Sequence, residues 1–412
     1  DDAVKRILGV KYDLGLFEDP YKYCDLDREK NIIGSKENNL AALDMAKKSI
    51  VLLKNEGSLL PLKKNGQKIT LIGHLANDNN SPLGNWRGAA ESNTAVTVLQ
   101  GLEQYGDNSI NYKKGVDLYY GETNFHNRVK LNHTDKTGFK EAKIAAKSAD
   151  IVVMVLGEEG FQSGEGRSRT ELSLPGLQQE LLEEIYKVNK NIVLVLMNGR
   201  PLNLTWADEN IPAILETWHL GSQSGNAIAE VLYGDYNPSG KLTMSFPRNV
   251  GQAPIYYNYK KTGRPGASSA EVTRSTYADV ENSPLYPFGY GLSYTDFNYS
   301  ELKLSGTNMG KESSLLATIK ITNTGKVKGK EVVQMYIQDH FGSLARPVKE
   351  LKGFELIELN PGETKEVIFK IDNSSLIYYT ANDKWESEIG KFSVFVGTNS
   401  DVQNNQSFML TN

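Results

Sequence analysis

Apolar and polar positions change their period twice along this chain. Over Asp2–Gly15, Val4, Ile7 and Leu8 recur at helical spacing, before Phe17-Glu18-Asp19-Pro20 leads into a tyrosine-rich coil. So short an amphipathic helix is marginal by itself, and it reads as the last helix of an upstream domain followed by a linker. From about Asn39 the pattern strengthens. Leu40, Leu43, Met45, Ala46 and Ile50 give a helix an apolar side, which runs into Val51-Leu52-Leu53. Short apolar runs then end in turn residues: 68–72 at Gly73, 151–156 at Gly157, and 192–197 at Asn198-Gly199-Arg200-Pro201. With the strand candidate 213–217 they alternate with helical patterns over 141–148, 177–188 and 226–233.

Continuous β-branched runs alternating with helices predict an α/β fold, a mostly parallel sheet covered on both faces in an αβα sandwich. Ligands of such sheets sit beyond the carboxyl ends of the strands. Attention therefore falls on the segments after Ile72, Leu156, Met197 and Thr217. Beyond residue 298 the period becomes two, at least in part, over 315–321, 332–337, 366–371 and 392–396. Asn323-Thr324-Gly325 and Asn360-Pro361-Gly362 supply turns between them. These short strands predict an all-β antiparallel sandwich of immunoglobulin-like type. Residues 245–294, rich in Pro, Gly and Tyr, read as an ordered extended connector. The expected organisation is 1–38 as linker and domain remnant, 39–245 as the αβα sandwich, 246–297 as connector and 298–412 as the β-sandwich.

Composition narrows the function. At 412 residues, with 39% hydrophobic and 23% charged positions, the chain is an ordinary globular sequence of two or three domains. Lys plus Arg number 46 against 50 Asp plus Glu, a net charge of -4 that offers no basic face to nucleic acid. No apolar run approaches the roughly 18–20 residues of a membrane span. Cys24 is the only cysteine, so it forms no intrachain disulfide, and no motif around it marks a nucleophile; an ordinary thiol is expected. The opening Asp-Asp-Ala-Val-Lys-Arg is no signal peptide, although a mature or excised product would begin the same way.

Phosphate-loop, H-E-x-x-H, paired Cys/His and dinucleotide motifs are all absent from the sequence, so no cofactor and no metal is expected. Gly221-Ser222-Gln223-Ser224-Gly225 imitates a nucleophile elbow but carries Gln223 where serine is needed. The positive signal follows the run 151–156. There Glu158, Glu159, Glu165 and Glu171 crowd a glycine-rich loop together with Arg167 and Arg169. Gly164 and Gly166 would let the chain carry Glu165 outward in a conformation other residues resist. The bland alternative is a solvated acidic loop. Trp86, in Gly84-Asn85-Trp86-Arg87-Gly88, and Phe161 could each offer a flat apolar face to a ligand, with core packing the alternative for Trp86. Lys54 and Arg200 either meet another domain or cap the sheet, and His219 is expected to make a structural hydrogen bond.

The stretch Ala149 to Pro201 resembles glycoside hydrolase family 3, in particular its bacterial β-glucosidases. Trp206-Ala207-Asp208-Glu209-Asn210, Gly234-Asp235-Tyr236-Asn237-Pro238-Ser239-Gly240-Lys241-Leu242 and Pro287-Phe288-Gly289-Tyr290-Gly291-Leu292-Ser293-Tyr294 continue the likeness. The upstream segments Arg6-Ile7-Leu8 to Pro20 and Ser49 to Asn55 extend it over essentially the whole chain. The resemblance implies the order (β/α)8 barrel, α/β sandwich, fibronectin type III-like domain, of which this sequence looks like the last two. It implies a retaining β-glucosidase whose acid/base is Glu165 in Ser163-Gly164-Glu165-Gly166, with Phe161, Trp86 and Arg169 as substrate-binding candidates. The family's nucleophilic aspartate lies in a barrel Ser-Asp-(Trp/His)-like motif that these residues do not contain. The implied partners are a β-glucoside or oligosaccharide and the missing N-terminal barrel, with a homodimer left open and neither nucleic acid nor membrane expected. The implied compartment is periplasmic or extracellular. A non-catalytic carbohydrate-binding or scaffold fragment stands as the alternative. For Glu165 to donate a proton near neutrality its pKa must be raised. Glu158 and Glu159 could favour that, while Arg167 and Arg169 would oppose it. Two departures from the family pattern, His74 for a common proline and Gln223 for a frequent glutamate, bear on substrate choice rather than fold.

Overall fold

The computed structural model describes residues 1–412 except Ala89, Gly106 and residues 267–271, the last of which fall within the expected connector. Helices α1 (Asp2–Asp13) and α2 (Leu26–Ile32) bury none of their residues. Val4, Ile7, Val10 and Tyr12 of α1 are each more than half exposed, so this apolar side has no partner among the described residues. Helix α3 (Lys36–Ser49) is capped by Ser35, which accepts the Asn38 N–H, and leads into β1 (Val51–Asn55).

Next come β2 (Asn65–Ile72), α4 (Val98–Glu103), β3 (Asp107–Lys113), the short pair β4 (Tyr119–Tyr120) and β5 (Lys130–Leu131), and α5 (Phe139–Lys147). They are followed by β6 (Ile151–Gly157), α6 (Gln178–Tyr186), β7 (Ile192–Met197), α7 (Thr205–Asn210), β8 (Ala213–Glu216) and α8 (Ser224–Leu232). Six strands form one sheet in the order β1-β8-β7-β6-β2-β3. All neighbours are parallel except β1 against β8. Every residue of β6 and β7 is buried, because both faces are covered. Val153, Val155, Val193 and Val195 pack with Val98 and Leu102 of α4 and Ile228 and Leu232 of α8. Their alternates Val152, Met154, Leu194 and Leu196 pack with Ala142 of α5, Leu181 and Ile185 of α6 and Ala207 of α7. Each such side chain contributes about 1.5–3 kcal/mol of burial, so these strands must be apolar at every position.

The edge strand β3 has no counterpart among the expected elements. Its sequence Asp-Asn-Ser-Ile-Asn-Tyr-Lys is polar, and only Ile110 and Tyr112 lean on the core, so period-two hydrophobicity is too sparse to announce it. The six-residue α4 is likewise too short for a helical period, although a Thr97/Gln100 capping box marks its start.

The C-terminal part comprises β9 (Phe297–Tyr299), β10 (Lys303–Leu304), β11 (Asn308–Gly310), β12 (Ser314–Asn323), β13 (Gly329–Asp339), β14 (Glu350–Leu359) and β15 (Thr364–Asp372). After α9 (Asn373–Leu376) come β16 (Tyr378–Tyr379), β17 (Trp385–Glu386), β18 (Gly390–Gly397) and β19 (Asn405–Thr411). One sheet runs β10-β12-β15 with β9 on β12, and the other runs β11-β19-β18-β13-β14. Ile319, Ile321, Val333, Ile337, Val367, Phe392 and Val394 fill the space between them. In the segment between the two parts, aromatics among the described residues are packed. Phe246 and Tyr286 complete the lower core of the parallel sheet, and Tyr257 stacks on Phe288 with ring centroids 4.2 Å apart. A nearly buried ion pair, Lys241 with Glu331 at 3.1 Å, ties the α/β part to the sandwich.

Candidate active site

The carboxyl ends of β2, β6, β7 and β8 open along one edge of the sheet, and their loops meet there. The loop after β6 is the most tightly built. It leaves from Gly157, whose φ of +142° and closeness to the Met197 carbonyl admit only glycine; a Cβ would lie 2.0 Å from that oxygen. The buried Gln178 amide accepts the Gly157 N–H at 3.0 Å and donates to its carbonyl at 2.7 Å. The next side chain, Glu158, is fully buried. Arg169 Nη1 donates to it at 2.9 Å, and Arg200 Nε lies 3.0 Å from the same oxygen. Glu159 turns back on its own turn, accepting the Phe161 N–H at 2.8 Å. Burial pushes its carboxyl up, against the opposing pull of the Phe161 N–H and Thr123.

Glu165 stands at the far end of this loop. Gly164 (φ +118°) and Gly166 (φ +68°) flank it, its side chain is exposed, and it makes no ion pair or hydrogen bond with a described residue. The loop rests on Asn85, since a Cβ at Gly164 would come within 2.1 Å of the Asn85 amide nitrogen. The acidic neighbours expected to act on Glu165 are committed elsewhere, Glu158 to two guanidinium groups and Glu159 to its own backbone. Arg167 donates to the Phe125 carbonyl and lies over the Phe125 ring, 6.0 Å from its centroid.

The other expected site residues are distributed unevenly. Trp86 is 68% exposed, so core packing is not its role, and its ring meets Phe125 at 6.3 Å between centroids. Phe161 is only 6% exposed, and the Arg87 guanidinium sits 4.5 Å above its ring. Its face is therefore covered by Arg87 rather than open to a ligand. Arg169, expected to meet substrate, is turned inward, with Nη1 on Glu158 and Nη2 on the Ser173 carbonyl at 2.9 Å. Lys54 caps the sheet end by donating to the Asp208 carbonyl, and Arg200 joins the Glu158 cluster. At His219 the Ser81 backbone faces the ring, although neither ring nitrogen reaches full hydrogen-bond geometry with a described residue. Burial holds that ring neutral, with its pKa pushed down to about 4 against the charge of Glu158. Phe125, Arg87 and Asn85 escape sequence reading because they lie on loops without period; only the nearness of Asn85 and Arg87 to Trp86 hinted at them.

Among the described residues, the buried side-chain polar atoms without a partner are both amide atoms of Asn85, Arg167 Nε, Asn198 Oδ1 and both His219 nitrogens. They come from the loops after β2, β6, β7 and β8, along the edge that presents Glu165. Unpaired buried polar groups cost about 1–3 kcal/mol each, so they concentrate where a ligand, water or another surface completes them.

Glu216, at the end of β8, is a further buried carboxyl. It accepts the Asn198 amide at 3.0 Å and the Trp218 N–H at 2.9 Å, which holds Trp218 at φ +54°. Burial pushes its pKa up to about 8, with Asn198 and the Trp218 N–H opposing and Glu158 adding to the rise. The folded state therefore favours the protonated form. This contribution is fully present below the unfolded value near 4.3 and is lost as pH rises toward 8. Thermal unfolding between pH 5 and 8.5 should show stability falling through this window, and Glu216→Gln should flatten the fall. An unchanged slope in that variant would assign the pH dependence elsewhere.

Residues 50–294 match the Glycosyl hydrolase family 3 C-terminal domain, and residues 331–400 match the Fibronectin type III-like domain. Over its whole length the chain is 45% identical to a periplasmic beta-glucosidase of Salmonella typhimurium, covering 55% of that protein. It is 41% identical to a beta-xylosidase of Formosa agariphila, again over 55% of that protein. The crystal structure of a beta-glucosidase from Listeria innocua in complex with glucose aligns with a TM-score of 0.89 at 36% identity, covering all of this chain and 54% of that one. The chain thus spans about half the length of the curated relatives it matches. With well over half of its residues inside the family match, this chain belongs to glycosyl hydrolase family 3, as a C-terminal domain joined to a fibronectin type III-like domain.

Proposed function

We propose that this chain supplies the general acid/base of a retaining β-glucosidase, with Glu165 as the proton donor and the nucleophilic aspartate on an N-terminal (β/α)8 barrel. The substrate class is a terminal, non-reducing β-D-glucosyl or similar residue, in a periplasmic or extracellular setting like that named for the Salmonella relative. One observation carries the reading. Of the loop's carboxylates, Glu158 and Glu159 are buried and tied inward, whereas Glu165 is exposed at the glycine-flanked tip and has no partner among the described residues. Glu171 is exposed too, but it lies past the Glu158–Arg169 closure.

Retaining hydrolysis needs two carboxyl groups about 5–5.5 Å apart across the scissile bond. A tip that projects from the sheet edge suits a donor that must reach a sugar held by another domain. Glu165 would give its proton to the leaving oxygen, then take one from the water that releases the glycosyl-enzyme. Trp86 offers its exposed ring to the sugar, with Phe125 beside it. The unpaired polar atoms along the edge and the exposed apolar side of α1 suit contact with a barrel. So does a groove of about 740 Å³ lined in part by Met45, Trp218 and His219.

The test compares this chain alone with the same chain joined to its N-terminal domain. The joined protein is expected to hydrolyse an aryl β-glucoside, the isolated chain is not, and Glu165→Gln is expected to abolish most of the joined activity. A non-catalytic carbohydrate-binding role predicts instead that the isolated chain binds glucoside in a calorimeter, undisturbed by Glu165→Gln. Ordinary turnover by the isolated chain would remove the need for a barrel and the proposal with it.

A further inference from the structure

We infer that Glu158 is a positioning residue for Glu165, closing the loop 158–169 on itself so that its tip is held in one place. This rests on the role given to Glu165 above, but the geometry stands apart from it. Glu158 begins the loop and Arg169 ends it, and the two are joined at 2.9 Å. Arg169 is itself anchored on the far side by the Ser173 carbonyl at 2.9 Å. Arg200, from the loop after β7, adds a strut at a third point. Its Nε reaches Glu158 at 3.0 Å, and its Nη2 donates to the Gln162 carbonyl at 2.5 Å. The Gly199 N–H also faces Glu158, at 3.4 Å. One buried carboxylate thus fastens the start of the loop to its end, and through Arg200 to its middle and to the neighbouring strand.

The loop needs such a fastening. Gly164 and Gly166 remove the backbone restraint at the tip, and glycine loses more conformational freedom on ordering than any other residue. The Glu165 side chain has no hydrogen-bond or ion-pair partner among the described residues to fix it. Apolar packing helps only at Phe161, which is buried beneath Arg87. An acid/base displaced by about 1 Å can lose about 10²-fold in rate. A closure buried under the loop, where water cannot compete for the carboxylate, answers that requirement.

Glu158→Gln keeps the side-chain shape and removes the charge that both guanidinium groups share. Hydrogen exchange of this chain should show amides of residues 159–168 exchanging at least tenfold faster in the variant, while strands β6 and β7 keep their protection. Glu165→Gln should leave the same amides unchanged. If Glu158→Gln does not fold, Arg169→Lys serves, because it keeps the charge but loses the reach to both Glu158 and Ser173. In the protein joined to its N-terminal domain, Glu158→Gln should lower kcat for a poor leaving group about tenfold or more with KM little changed. It should leave the glycosylation step of a dinitrophenyl glucoside, read as kcat/KM, little changed, and it should add nothing to Glu165→Gln. Loop exchange that does not change in either variant, or that rises equally across the whole domain, overturns the inference. If the loop loosens but Glu165→Gln shows no leaving-group dependence, the closure stands and the role of Glu165 falls.

Discussion

Glu165→Gln, in the protein joined to its N-terminal domain, is expected to slow hydrolysis of a poor leaving group such as an alkyl glucoside by about 10²–10⁴-fold, the usual worth of a positioned acid. A dinitrophenyl glucoside, whose leaving group departs without a proton, should be glycosylated onto the enzyme at close to the unaltered rate. Release of the sugar from the enzyme then becomes slow, because no base activates water. Azide, a nucleophile that needs no base, should restore turnover of the dinitrophenyl substrate and yield a glucosyl azide. The exposure of Glu165 makes the experiment clean: glutamine there breaks no hydrogen bond or ion pair with a described residue, so stability should stay within about 0.5 kcal/mol. Equal losses for good and poor leaving groups, with no azide product, would transfer the acid/base role to another carboxyl, and Glu171 would be the next to replace.

What the sequence disclosed and what it hid follow from the same physics. The strands β6 and β7 are buried on both faces, so their side chains had to be continuously apolar and were legible at once. The place of Glu165 was legible for a related reason, because a parallel sheet sends its loops to one edge and only glycines permit the backbone around that residue. The assignment of Phe161 and Arg169 to substrate shows where such reading stops. An aromatic ring and a guanidinium beside a candidate acid look like ligand groups in one dimension. In the fold the ring lies under Arg87 and the guanidinium is committed to Glu158. Charge pairing across eleven residues of loop leaves no periodic trace, nor does the approach of Phe125 from the segment between β4 and β5. Glu216 was missed for a different reason: it falls inside the strand candidate 213–217, where a lone carboxyl carries no motif, and only the fold shows that it is fully buried.

Gly157→Ala should cost the α/β part about 3–5 kcal/mol, near the top of the range for single substitutions. The backbone there has φ +142°, which a side chain resists, and the added Cβ would meet the Met197 carbonyl oxygen at 2.0 Å and its carbon at 2.7 Å. Neither strand can yield cheaply, since Gly157 pairs with Met197 in the ladder and the Gln178 amide grips both its backbone groups. Gly166→Ala is the matched control. It too sits at positive φ (+68°), yet a Cβ there would meet nothing within 4 Å, so only about 1–2 kcal/mol of backbone strain is expected. Tryptophan fluorescence on heating reads the difference, because Trp86, Trp206 and Trp218 lie in the α/β part and only Trp385 lies in the sandwich. A midpoint about 10 °C lower for Gly157→Ala, against a few degrees for Gly166→Ala, is the expected outcome at about 2–4 °C per kcal/mol for a domain of this size. Equal shifts would mean that β6 and β7 separate easily at their carboxyl ends. The closure built on Glu158, one residue further on, would then have no rigid base to act from.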